Sequence, residues 1–141
     1  MRSDYGARAV IDLAIRHGEG PVQSADIAAR QAIPEAYLEQ LLTALRKAGL
    51  VRSTRGPHGG HELARPATQV TLCDVVTALD GPMTVADPLT DPTSRDVPSA
   101  CAIREVWAQV VETTNQVLKA TTVDDLVQRQ RERERRVMYY I

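Results

Sequence analysis

The chain has 141 residues, 43% of them hydrophobic and 25% charged, which fits one ordinary globular domain and excludes disorder throughout. No apolar run approaches the roughly 20 residues of a membrane-spanning helix, and two cysteines, Cys73 and Cys101, are too few for a disulfide scaffold. Phenylalanine is absent and aromatics make up 4%, so the core is expected to be aliphatic.

The N-terminal "MRSDYGARAV" lacks the apolar stretch of a signal peptide, so a cytoplasmic location is expected, without membrane association. The formal net charge of -1 conceals an uneven distribution. From Ala44 to Arg65, five cations (Arg46, Lys47, Arg52, Arg55, Arg65) stand against Glu62, a surplus of four. From Asp74 to Glu105, six acids stand against Arg95 and Arg104, a deficit of four. A polyanion responds to the local surplus, because salt confines the field to about 10 Å.

Ala9, Val10, Leu13 and Ala14 recur at helical spacing, so a first helix is predicted from about Asp4 to Arg16, stopped by Gly18 and Gly20. Ser24 is expected to cap a short second helix, "SADIAARQAI", with Asp26 in its first turn. Pro34 opens a third, "PEAYLEQLLTALRKAG", with a stripe of Leu38, Leu41, Leu42 and Leu45 and a glycine cap at Gly49. Its other face is polar, so the pair reads as a helix-turn-helix.

"LVRST" and "HELAR" then read as two strands joined through "RGPHGG". The glycines Gly56, Gly59 and Gly60 are expected to supply positive φ at the tip of this β-hairpin, or wing. A phosphate-binding loop would instead open directly into a helix and end in Lys-Ser or Lys-Thr, neither of which is present. His58 and His61 are read as wing surface, since nothing nearby completes the roughly four ligands of a closed metal site.

Thr71 and Asp74 form a capping box for "TLCDVVTALDG", with Leu72, Val75, Val76 and Leu79 facing inward. Residues 81–99 hold four prolines and no period, so a long loop is expected. "ACAIREVWAQVVETTNQVLKAT" is a long helix with Ile103, Val106, Trp107, Val110, Val117 and Leu118 on one side, more apolar surface than so small a domain needs. Thr122 and Asp125 cap a last helix, "TVDDLVQRQRERERR". The fold class is therefore mainly α with a small β-hairpin. The expected organisation is a winged helix-turn-helix domain at 1–66, a connecting helix at 67–82, a sensor-type loop at 83–98, and a dimerisation helix with its tail at 99–141.

The block "YLEQLLTALRKAGLVRSTRGPHGGHEL", with "DYGARAVIDLA" ahead of it and "TLCDVVTALDG" and "TTVDDLV" behind, resembles the Rrf2 family of winged-helix transcription regulators. The resemblance implies a homodimer crossed by the long helix, with recognition helices in successive major grooves of a double-stranded operator and wings over the flanking minor grooves. The family's DNA-facing positions fall on Ser24, Ala36, Tyr37, Glu39, Gln40, Ser53, Arg55 and the tip Gly56, Pro57, His58, Gly59 and Gly60. The dimer seam falls on Val106, Trp107, Val110 and Val117. Each position has an ordinary structural alternative: Ser24 a cap, Gln40 a solvated residue, Tyr37 part of the hydrophobic seam.

Sensing members of the family carry three cysteines before the long helix and hold an iron–sulfur cluster there. This chain keeps Cys101 alone in that region, and Arg104 stands where some relatives have a histidine. The expected function is therefore a homodimeric DNA-binding repressor that works without the standard cluster as cofactor, with a thiol switch at Cys101, a small molecule or a protein as effector. Two alternatives remain: an unusual cluster shared between subunits through Cys101, and a small metal-binding protein or enzyme using the histidines and cysteines.

Overall fold

The computed structural model describes residues 2–83 and 97–139. Its elements are α1 (Arg2–Ile15), α2 (Ser24–Gln31), α3 (Glu35–Lys47), β1 (Val51–Thr54), β2 (Gly60–Leu63), a 3-10 turn (Ala67–Gln69), α4 (Leu72–Asp80), α5 (Pro98–Ala120) and α6 (Val123–Tyr139). Most of the expected sensor-type loop, residues 84–96, lies outside the described residues.

α1 is the central post. Its apolar stripe buries Ala9, Val10 and Leu13, and α2, α3, α4, α6 and β2 all pack around it. α4 comes very close at Gly6, where a Cβ would stand 2.1 Å from the Leu79 Cδ1. The core is aliphatic as the composition requires: Leu38, Leu41, Leu42 and Leu45 of α3 meet Ile27, Leu50, Val70 and Val75, all 1% exposed or less. β1 and β2 form a two-stranded antiparallel sheet in the register Val51↔Leu63 to Thr54↔Gly60. Val51 and Leu63, directly opposite each other, are the hairpin's two buried anchors.

Both expected Thr-x-x-Asp boxes form. The Thr71 hydroxyl accepts the Asp74 amide at 3.1 Å while the Asp74 carboxylate accepts the Thr71 amide at 2.9 Å. Thr122 and Asp125 repeat the pattern at 3.0 and 2.9 Å, and the Thr122 amide holds the Asp125 carboxyl below its ordinary pKa. The two boxes lie side by side. Leu72 N–H donates to Thr121 O and Val123 N–H to Val70 O, each at 2.8 Å, so α4 and α6 start from one point.

Three local expectations are corrected. Ser24 is the first residue of α2 and makes no capping bond; Gln23 stands at the cap position, and the Ser24 hydroxyl donates instead to the Glu39 carboxylate. Gly59 does not supply positive φ, unlike Gly56 at 109° and Gly60 at 153°; it is needed because a Cβ there would stand 2.1 Å from Thr54 O. His61 is not plain wing surface: it is half-buried, because its backbone is paired on the side away from β1.

α5 and α6 run further than the sequence pattern indicated, α5 starting at Pro98 and α6 continuing to Tyr139. α6 also belongs with the head: it buries Val123 and Val127 against α1 and the 3-10 turn. α5 buries nothing along its 23 residues.

Candidate nucleic-acid interface

The interface begins with the turn that aims α3. Ala32 closes α2 in the left-handed conformation, φ 53° and ψ 49°, and the Ile33 amide reaches back to Ala28 O at 3.0 Å. Buried Ile33 pins the turn to the core. Pro34, with φ -57°, precedes the helix, and its carbonyl accepts the Leu38 amide at 2.9 Å. With four leucines facing inward, helical spacing puts Ala36, Glu39 and Gln40 outward, and all three are exposed. Tyr37 lies at the border, half-buried and edge-to-face on Tyr5 with ring centroids 5.7 Å apart.

The far end of α3 is closed so that the wing must follow at a fixed angle. Gly49, at φ 78°, lets its amide reach Arg46 O while the Leu50 amide reaches Leu45 O, both at 3.0 Å. Leu45 and Leu50 are both buried, supplying the apolar contact of that motif. Beyond β1, Arg55, Gly56, Pro57 and His58 project as the exposed tip.

The wing is fastened on its other edge as well. Val22 and His61 exchange both backbone hydrogen bonds, at 2.9 and 2.7 Å. Gly60 makes this approach possible, since a Cβ there would stand 2.5 Å from Val22 O. Burial of the His61 imidazole lowers its pKa, with Arg46 adding to the shift and Glu39 opposing it. Ser24 on Glu39 joins α2 to α3. Arg46 Nη1 donates a long bond, 3.4 Å, to Ser53 Oγ and joins α3 to β1. The structure thus brings Ser24, Glu39 and Ser53 into the seams between these elements, while Ala36, Gln40 and Arg55 point outward.

Sequence reasoning missed what holds α2 in place. Asp12 of α1 is 3% exposed and accepts two bonds from Arg30, at 2.9 and 2.8 Å, and one from Gln31 at 3.2 Å. The available signal was an aspartate between Ile11 and Leu13, inside the apolar side of α1. Electrostatically, Arg52 is answered by Glu62 at 3.2 Å. The exposed Arg46, Lys47, Arg55 and Arg65 remain as the positive surplus.

Away from this face, Cys101 occupies the first turn of α5, half-buried, with its amide on Val97 O at 3.0 Å. The expected seam residues are open: Val106 57%, Trp107 57%, Val110 48% and Val117 61% exposed. Among the described residues no group of three or more His, Cys, Asp or Glu side chains gathers as metal ligands. No helix among them is long and apolar enough to cross a membrane.

Comparison with known proteins agrees with this geometry. The family described as Rrf2, iron-dependent transcriptional regulator, matches residues 1–129. The HTH-type transcriptional regulator CymR of Bacillus subtilis is 36% identical over 137 residues, covering 97% of this chain and 94% of the relative. A solved structure of CymR, the global cysteine regulator of B. subtilis, superposes with a TM-score of 0.77 at 37% identity, covering 91% of this chain and 94% of that one. A structure of T. potens IscR gives a TM-score of 0.74 at 36% identity, covering 92% and 85%.

Proposed function

The chain belongs to the Rrf2 family of DNA-binding transcription regulators, and from that premise we propose that it is a homodimeric repressor reading a two-part operator with α3 and the wing. The observation that carries the reading is the shared setting of Ala36, Gln40 and Arg55. A polar helix face and a cationic glycine tip are locked to one another by the Gly49 cap and the Val22–His61 pair. A rigid helix fits the major groove, and a narrow tip the adjoining minor groove.

In this reading Gln40 makes a bidentate contact to adenine, and Arg55 enters the minor groove or grips a phosphate. Gly56 to Gly60 let the backbone approach the sugar-phosphate chain, with Pro57 and His58 at its surface. Glu39 acts between the bases and Ser24. Tyr37 contributes through its packing on Tyr5. Val106, Trp107, Val110 and Val117 pair with the same face of a second copy, which sets the spacing of the two half-sites.

An iron–sulfur cluster does not fit the residues at the start of α5. Such clusters take about four protein ligands, and the chain has two cysteines, of which Cys101 alone stands there. The reading therefore runs without a cluster, and the signal enters as a small molecule, a protein partner or oxidation of Cys101. The protein acts in the cytoplasm, where its operator lies.

Titration of operator DNA at several salt concentrations tests the reading. Arg55→Ala is expected to weaken binding and to reduce the salt slope by about one unit per half-site, as the loss of one phosphate-neutralising cation requires. An unchanged slope and affinity removes Arg55 from the interface. Visible absorbance with bound iron and sulfide in anaerobically purified protein would overturn the cluster-free reading.

A further inference from the structure

A second site lies behind the wing, away from its tip. The end of α1, the turn through Gly18 and Gly20, Val22 and the hairpin enclose a cleft of about 120 Å3. A single water needs roughly 10–15 Å3 on this scale, so there is room for a compact ligand of several heavy atoms. Its lining includes Leu13, Arg16, His17, Arg52, His61 and Glu62.

Arg16 decides what kind of ligand fits. Its Nε is buried and has no hydrogen-bond partner. Arg16 forms only long ion pairs, Nε to Asp12 Oδ2 at 3.8 Å and Nη1 to Glu19 Oε2 at 3.7 Å, neither within hydrogen-bond distance. Asp12 is already engaged by Arg30 and Gln31. A guanidinium has donors only, so a buried Nε–H without a hydrogen bond has room for an acceptor. Arg52 adds a second guanidinium, held at present by Glu62 across the strands at 3.2 Å.

We propose that this cleft binds a small oxyanion, a short carboxylate or an inorganic oxyanion such as phosphate, through Arg16 and Arg52, and that its occupation is read out at the wing. The ligand draws Arg52 from Glu62 and so loosens the cross-strand pair at the base of the hairpin that carries Arg55. Operator affinity falls as a result, a coupling between two separate sites. This effect on DNA rests on the function proposed above, whereas binding in the cleft does not.

The test uses the full chain. Sodium phosphate and sodium acetate are titrated separately against 15N-labelled protein, with sodium chloride at matched ionic strength as control. Saturable amide shifts at Arg16, His17, Arg52 and Glu62 are expected with one of the two anions, and its identity separates the two sources. Arg16→Gln is expected to weaken binding at least tenfold, and Arg52→Gln, on an exposed strand position, provides a second variant should the first misfold. At saturation, wild-type operator affinity is expected to drop at least threefold beyond the chloride control, and in Arg16→Gln not at all. Absence of saturable shifts, unchanged binding in both variants, or operator affinity indifferent to the bound anion each overturns the proposal. A protein that binds no operator under any condition defeats the proposed function instead, and the amide titration still decides the site.

Discussion

Val10 in α1 and Val110 in α5 are the same side chain on two helices of one chain, yet Val10 is fully enclosed and Val110 is 48% exposed. The contrast extends along both elements. Every apolar residue on the stripe of α1 finds a neighbour, while α5 carries Ile103, Val106, Trp107, Val110 and Val117 into the open. Both stripes have helical spacing, so periodicity alone does not separate a core helix from one whose apolar face lies open. Connectivity does. α1 is surrounded by five other elements, and α5 touches chiefly α4. At about 1.5 Å per residue its 23 residues extend roughly 35 Å, longer than the small head can cover.

The sharpest way to break the head is through Asp12, the one buried charge among the described residues. Arg30→Ala leaves the Asp12 carboxylate, 3% exposed, without its bidentate partner, and is expected to cost about 3–5 kcal/mol in chemical denaturation. Asp12→Ala should cost less, about 2–3 kcal/mol, because the Arg30 side chain is 33% exposed and can turn to water. Equal losses in the two variants would mean that solvent reaches Asp12 in the folded protein.

On α5 the expected effect has a different character. Val110→Glu should convert dimer to monomer in sedimentation and abolish tight operator binding, while the far-ultraviolet spectrum of the head persists. A variant that remains dimeric removes Val110 from the seam. By contrast, Val10→Glu is expected to unfold the head outright, since it places an unpaired charge in a wholly enclosed site.

Two smaller effects refine the picture of the head. Ala32 bears a left-handed conformation that glycine adopts freely, so Ala32→Gly should raise stability by up to about 1 kcal/mol. A loss on thermal denaturation would show that the Ala32 methyl matters more than its backbone. For His61 the sign follows from burial. Its folded pKa lies below the ordinary 6.5, so the unfolded chain binds the proton more readily. Its contribution to stability is complete above that value and is lost as pH falls from about 6.5 towards the folded pKa. The melting temperature should therefore drop more steeply through this range in wild type than in His61→Gln. Parallel curves would place the titration elsewhere.

Local rules made much of this legible. The leucine stripe of α3, the Gly49 cap and both Thr-x-x-Asp boxes each depend on residues within one turn of one another, and each forms. What escaped depends on distance along the chain. The sequence around Ser24 points to a cap because nothing nearby reveals Glu39, fifteen positions on. The need for Gly59 is hidden from the sequence because its crowding comes from the Thr54 carbonyl across the hairpin. The Asp12–Arg30 pair joins two helices whose packing no period encodes. At the interface, the outward positions Ala36, Gln40 and Arg55 were readable from the pattern, but the Val22–His61 fastening was not.

The joined starts of α4 and α6 also bear on the order in which the protein is made. After Leu72 the chain builds α4 against α1, and at Thr121, beyond the long helix, it is back within a single hydrogen bond, 2.8 Å, of Leu72. Topologically the long helix is an insertion, and the head closes only when Val123 and Val127 arrive to cover α1. A nascent chain therefore exposes the apolar face of α5 before its DNA-binding head is complete. If α5 pairs as proposed, that face is open to a second copy while the head still lacks its last helix.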